Sequence, residues 1–358
     1  WLQHASSVTV TMPPGDRGSS MLVLRLAAVI FGQLFLDAAG AILPAGNSQF
    51  NITQSWPQAQ NYPRKVYVSA PPGGGKPVIW LHGRGGSGIE GAFYLGFRGI
   101  RRRDFVFVYP DGFMGSWNIG PEPSKAPDIA YLEAIVDKLK GYSNIDFSAG
   151  VTLVGESNGC GLVHAVYIES SYPEFRKALC GVTPLTVEQY KNSDFYKRPT
   201  PAGDNSNYIQ KVVPKIGRTM WFYQGRKDQL IPFAGGLSLV GSTFWPALAS
   251  ARIWATHFGS DGSLLSTPRS YGFEHAFLNG QVKLFEFVDA DHRAATVYAS
   301  DMETIVTQLA ELVPAGAVAD YTLPAVPSQL SAMLLELRNQ PAPAQFKHFH
   351  HHPELDAR

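Results

Sequence analysis

The sequence predicts an α/β fold, a mostly parallel central sheet flanked by helices, and three observations point there. From about Tyr62 onward, short apolar runs rich in strand-forming residues alternate with stretches whose apolar residues recur at helical spacing, as strand–helix–strand units require. Two of those runs, PVIWL at 77–81 and VTLV at 151–154, lead straight into glycine-bearing segments, HGRGGSG at 82–88 and GESNGC at 155–160. Such folds keep their active-site loops at the carboxyl ends of strands. With 358 residues, 45% of them hydrophobic, the chain can bury one large core.

Taken in order, residues 1–20 show no periodicity and read as an unstructured or extraneous leader. Residues 21–41, MLVLRLAAVIFGQLFLDAAGA, match a secretory signal: Arg25 near the start, an apolar core at 26–36, then Ala39, Gly40 and Ala41 as small cleavage-site residues. A stable membrane span is not expected, because Arg25, Gln33 and Asp37 interrupt the segment. Asn51, Ile52 and Thr53 form a glycosylation sequon that suits export, so the protein is expected to be secreted. Residues 47–314 form the expected catalytic domain. Its strands are read at 65–69, 77–81, 105–109, 151–154, 179–182, 219–223 and 282–288, and its helices at 129–139, 161–168, 244–254 and 295–312. Residues 315–358 shift toward Pro, Ala and Val and read as a tail with one appended helix at 328–338. The tail histidines His348, His350, His351 and His352 lack the Cys or carboxylate partners of a structural metal site.

Charge excludes one class of partner. The net charge is +1 and the only dense basic spot, Arg101, Arg102 and Arg103, reads as a solvated loop, so nucleic acid is not expected. The loop at 81–88 lacks the GK[ST] ending of a phosphate loop and the GxGxxG spacing of a dinucleotide site. The two cysteines, Cys160 and Cys180, flank a helix read from Asn158 to about Ser170, roughly 20 Å long. With Cys180 taken to open the next strand, at the far end of the sheet, their separation exceeds the reach of about 7 Å for bridged α-carbons. Two free thiols are expected.

The chemistry centres on GxSxG. A buried strand delivering the chain into a tight turn and then a helix lifts a serine hydroxyl to the top of the sheet, and only small flanking residues permit that turn. Ser157, between Gly155 and Gly159, is the candidate nucleophile. A serine needs an imidazole to take its proton, and the imidazole needs a carboxylate. Asp228, in QGRKDQLIPFAGG after the run TMWFY, is the candidate acid, and His292, in DADHRAA after VKLFEFV, the candidate base. His275 precedes that last strand, His164 lies on the elbow helix and Asp291 adjoins the base, so none is preferred. Oxyanion donors are expected from the backbone of Asn158 and of Arg84, with Gly85 next, and Trp117 is a candidate lining of the acyl or aromatic pocket. No metal and no cofactor is required.

The segments RKVYVSAP, PVIWLHGRGGSG, VYPDG, GESNGC, YQGRKDQLIPFAGG and DADH resemble, in order and rough spacing, the polyhydroxybutyrate depolymerase-like and feruloyl esterase group of the α/β-hydrolases. The resemblance covers about 62–312. It implies a triad of Ser157, Asp228 and His292 and hydrolysis of acyl, hydroxyacyl or feruloyl esters, small or oligomeric, including polyesters and plant cell-wall esters. Two alternatives stand beside it. One is a peptidase of the prolyl oligopeptidase type, whose elbow also reads GxSNG; the other is a non-catalytic binding protein on a hydrolase scaffold.

Overall fold

The apolar runs at 77–81, 105–109, 151–154, 179–182, 219–223 and 282–288 all become parallel strands at the centre of one sheet in the computed structural model. It describes residues 40–90, 104–199 and 207–312. The leader, the apolar segment except its last two residues, the arginines at 101–103 and the tail from 315 lie outside the described residues. The strands are β1 (Gly46–Trp56), β2 (Ala59–Ala70), β3 (Lys76–Leu81), β4 (Phe105–Pro110), β5 (Val151–Glu156), β6 (Phe175–Gly181), β7 (Tyr190–Lys191), β8 (Asp194–Lys197), β9 (Gln210–Val212), β10 (Thr219–Gly225), β11 (Gly236–Leu237), β12 (Thr243–Phe244), β13 (Leu265–Arg269), β14 (Gly272–Phe277) and β15 (Val282–Phe287). The helices are α1 (Asp128–Lys140), α2 (Asn158–Glu169), α3 (Ala247–His257), α4 (Ala294–Val297) and α5 (Ala299–Glu311).

The main sheet runs β1-β2-β4-β3-β5-β6-β10-β15-β14-β13. From β4 to β15 every neighbouring pair is parallel, so those six strands present their carboxyl ends along one rim. Antiparallel ribbons close both sides: β1 and β2 next to β4, β14 and β13 next to β15. Of these ribbon strands the sequence pattern announces only part of β2, and the further unannounced strands form two small separate sheets, β7-β8-β9 and β11-β12. β1 alternates exposed and half-buried residues and is built largely from Asn, Gln, Ser and Thr, so it offers no apolar run; Phe50 and Ile52 pack against the core, and Trp56 at its end is buried.

Side chains alternate between two cores. Ile79, Val108, Leu153 and Phe222 pack under α1, α2 and α3, whereas Trp80, Phe107, Val154 and Phe285 pack under α5. The α2 helix is buried over 158–168, so it lacks a polar stripe. The α5 helix buries Met302, Ile305, Val306, Leu309 and Ala310, the spacing of a one-sided surface helix. Its last carbonyls are capped from beneath by the buried Lys177 ammonium, which donates to Ala310 O at 2.7 Å and Leu312 O at 3.1 Å. Burial pushes that lysine down to about 8.

Two buried ion pairs tie the layers together. Arg64 on β2 meets Asp128 at the start of α1 at 2.6 Å, and Arg198 meets Glu169 at the end of α2 at 2.9 Å. Both reach the segment between β4 and α1: Asp128 accepts Asn118 N–H at 2.6 Å, and Arg198 donates to Asn118 O at 2.6 Å.

The cysteines correct the expectation of free thiols. Cys160 and Cys180 form a disulfide with α-carbons 4.8 Å apart. The reasoning failed at the strand boundary. β6 begins at Phe175, not at 179, so Cys180 stands at its carboxyl end, beside Gly155 of β5. The α2 helix does descend from the rim, but β6 has climbed back to it before Cys180 is reached.

Replacing both cysteines, Cys160→Ala with Cys180→Ala, is expected to lower unfolding stability by about 3 kcal/mol for a loop of this length, read from denaturant unfolding, with the slope rising because the uncrosslinked denatured chain exposes more surface. Acid stability supplies a second test. His164 is fully buried: its Nε2 donates to Thr183 O at 3.1 Å while Nδ1 accepts from Trp254 Nε1 at 3.2 Å. Burial lowers its pKa from 6.5 to about 3. Between those values the unfolded chain binds a proton that the folded chain refuses, so stability is full above 6.5 and falls as pH drops toward 3. A His164→Gln variant should show a shallower loss of stability over that window.

Candidate active site

Ser157 sits between β5 and α2 with φ 52° and ψ −119°, a region that costs a non-glycine residue about 1–3 kcal/mol. Its neighbours must be glycine for steric reasons. A Cβ on Gly155 would lie 2.5 Å from Gly159 O, and one on Gly159 would lie 2.2 Å from Leu81 O. The turn is anchored by Ser157 N–H donating to Gly181 O at 2.9 Å. Ser157 itself is half-buried, its hydroxyl at the rim.

The base and acid arrive from β15 and β10. His292 Nε2 lies 3.0 Å from Ser157 Oγ, and its Nδ1 lies 2.7 Å from Asp228 Oδ2. Asp228 is buried and held from four directions: Leu230 N–H and Ile231 N–H donate to Oδ1 at 2.9 Å each, and Gln224 Nε2 donates to Oδ2 at 2.9 Å beside the imidazole. The loop carrying His292 is pressed against the end of β10, where a Cβ on Gly225 would lie 2.2 Å from Asp291 O. Asp291 is half-buried and shapes the turn, accepting Arg293 N–H at 2.8 Å. Three side chains 135 residues apart at the extremes thus form one hydrogen-bonded line from hydroxyl to carboxylate.

The loop after β3 lies against the nucleophile: a Cβ on Gly83 would stand 3.5 Å from Ser157 Cβ. His82 organises it. Gly112 N–H donates to His82 Nε2 at 2.9 Å, which leaves the proton on Nδ1 to be donated to Gly83 O at 2.7 Å. Burial lowers the pKa of this imidazole, against the pull of the Gly83 carbonyl and of Asp111. The YPDG segment has a structural meaning here, since Asp111 Oδ1 also accepts Gly88 N–H at 2.6 Å.

The expected oxyanion donors separate at this point. Asn158 opens α2, so its N–H has no intrahelical acceptor, and Arg84 N–H has no hydrogen-bond partner among the described residues. Gly85 is a correction: its N–H donates to Gly115 O at 2.8 Å and is not free to meet an oxyanion. Trp117 is a second correction. Its side chain is fully enclosed, with the indole N–H donating to His82 O at 2.8 Å, so it does not line an open pocket. It braces the site from behind. Trp117 N–H donates to Asn158 Oδ1 at 2.6 Å, and Asn158 Nδ2 donates back to Trp117 O at 3.2 Å.

Sequence reasoning missed Gln224, which stands at the end of the TMWFYQG run, four residues before the acid. It also missed Glu156. That half-buried carboxyl adjoins the nucleophile, and burial raises its pKa while the nearby His292 opposes the rise. The rivals are otherwise engaged: His164 is locked in the core, and His275 pairs with Glu286 at 3.0 Å. Cys160, His164 and Cys180 place metal-type donor atoms within 4.8 Å of one another, but both sulfurs are joined in the disulfide.

The fold is that of an α/β-hydrolase. No family model matches the sequence, and no curated protein matches it. Among solved structures, the chain is similar to acetyl xylan esterase from Aspergillus awamori, at 17% identity and TM-score 0.48, covering 72% of this chain and 98% of that one. It is also similar to a poly(3-hydroxybutyrate) depolymerase from Bordetella parapertussis, at 12% identity and TM-score 0.44, covering 82% and 94%. An S-formylglutathione hydrolase from Staphylococcus aureus matches at 9% identity and TM-score 0.43, covering 76% and 100%.

The Gly159→Ala variant should be destabilised by about 1–3 kcal/mol or more, since the clash is with backbone that cannot rotate away. Chemical denaturation of the variant beside the unaltered chain measures it.

Proposed function

We propose that this chain is a secreted serine esterase that hydrolyses carboxylic esters through an acyl-enzyme, acting on acyl, hydroxyacyl, feruloyl or acetyl esters. The observation that carries this reading is the unbroken line of hydrogen bonds from Ser157 through His292 to Asp228. In that line His292 Nε2 takes the Ser157 proton as Oγ attacks the ester carbonyl carbon, and Asp228 stabilises the imidazolium that results. The departing alcohol receives the proton from His292. Water, deprotonated by the same imidazole, then attacks the acyl-enzyme and releases the acid. Negative charge on the tetrahedral oxygen is met by the N–H groups of Asn158 and Arg84, each worth roughly 3–4 kcal/mol in the barrier.

The surroundings favour an apolar ester. Leu237, Leu239 and Val240 are exposed, and Leu239 N–H donates to Leu230 O at 3.1 Å, which ties that apolar loop to the acid's own loop. Met114 is exposed beside Gly115, the residue that holds Gly85. Export is supported by the disulfide, which suits an oxidising compartment, and by Asn51 being exposed on β1, where a glycan could be accepted.

Ser157→Ala is expected to abolish fluorophosphonate labelling and ester hydrolysis together. Asp228→Asn is expected to lower kcat about 10⁴-fold with KM little changed. The test set is short nitrophenyl esters, hydroxybutyrate oligomers, and feruloyl and acetyl sugars, with peptide substrates alongside. Cleavage of peptides alone would favour the peptidase reading. Folded protein that neither takes the label nor cleaves any ester would favour a binding role.

A further inference from the structure

A second serine, on the outermost strand of the sheet, has the same kind of partners. Ser266 on β13 stands directly opposite His275 on β14, and Ser266 Oγ lies 2.9 Å from His275 Nδ1. His275 Nε2 lies 3.0 Å from Glu286 Oε2 on β15, and the other oxygen of Glu286 is paired with Arg226. A carboxylate held by arginine is an acceptor only, so in the neutral imidazole the proton sits on Nε2 and Nδ1 presents its lone pair to the serine hydroxyl. That is the polarity a general base needs. Exposure follows the same order: Glu286 is 3% exposed, His275 8%, and Ser266 lies open on the outermost strand.

We propose that Ser266 is a second acyl-accepting hydroxyl, activated by His275 and Glu286 and independent of Ser157. A hydroxyl within hydrogen-bond reach of a base that is itself oriented by a third group is the general signature of an activated nucleophile. All three side chains rise from adjacent strands of one sheet, so their spacing is set by the ladder and not by loops. What Ser266 lacks is an elbow: it lies within a strand, away from any helix N-terminus. It therefore gains the acceleration of a positioned base, about 10²–10⁴-fold, without paired donors for an oxyanion. Its substrates are activated acyl groups such as aryl esters, and the outcome is one stable acylation instead of turnover. In the step, the Ser266 proton passes to His275 Nδ1 as Oγ bonds to the acyl carbon. The bond from that carbon to the aryl oxygen breaks, and the imidazolium returns its proton to the departing phenolate or to water.

The test uses the full chain carrying Ser157→Ala, so that the rim site cannot consume reagent. It is incubated with p-nitrophenyl acetate, and acetylation of each residue is followed by peptide mass mapping. The expected result is one acetyl group on Ser266, acquired about 100-fold faster than on other exposed serines, the lower end of what a positioned base supplies. The rate should fall to that of ordinary serines in His275→Gln and drop in Glu286→Gln, two changes that keep hydrogen-bonding side chains on the hairpin. Ser266→Ala in the otherwise unaltered chain should leave p-nitrophenyl ester turnover intact. Acetylation of Ser266 no faster than of other serines, or undiminished in folded His275→Gln, would overturn the proposal and leave the trio as a cross-strand clamp.

Discussion

A non-glycine residue held at positive φ is the constraint around which this molecule is arranged. Ser157 can occupy that conformation only because β5 and α2 leave it no other, and they do so through contacts that admit no side chain at Gly155 or Gly159. The strain is local, whereas its support is distributed. It includes the carbonyl of Gly181 on β6, the end of β3 under Gly159, and an α2 helix buried over its first eleven residues. Relaxing any of these would let the serine drop toward an ordinary turn, out of line with His292.

The polar groups beneath the site extend that logic. His82, Trp117 and Asn158 form a buried frame in which nearly every donor has an acceptor, and the frame joins the loop after β3 to the first turn of α2. Behind it, Arg64 with Asp128 and Arg198 with Glu169 both reach Asn118, the residue after Trp117. Buried ion pairs add little net stability, but breaking one by removing a partner typically costs about 3–5 kcal/mol. Their effect here is to give the connection between β4 and α1 a single arrangement, so that the frame cannot slip relative to the nucleophile.

Much of this was legible in the sequence, for identifiable reasons. The central strands are apolar throughout because both faces are covered, so they stand out as runs. The positions of Ser157, Asp228 and His292 followed from each lying just beyond such a run, and the structure brings the three together. The edges were not legible. β1 is mostly polar, β13 is exposed at four of its five residues, and β14 is buried only at His275 and Phe277. Strand boundaries misled in one place, where four residues of β6 before 179 include Arg176 and Lys177 and so hide the strand's start. That error alone turned a disulfide into two free thiols. Gly85 and Trp117 were misjudged for a different reason: which N–H is already bonded, and which ring is enclosed, depends on the segment at 111–117 folding back over the loop, a long-range fact with no local signature.

The bond between Cys160 and Cys180 closes a ring that contains only α2, the turn after it and most of β6. Closing that ring requires β6 to pair with β5, whereas β10, which pairs with the other edge of β6, and β15 bring the acid and the base later in the chain. The nucleophile's half of the molecule can therefore be sealed covalently as soon as β6 has paired with β5, before the final third of the chain has taken its place. Assembly becomes directional: a finished, cross-linked template for the serine waits while the two later loops dock onto it.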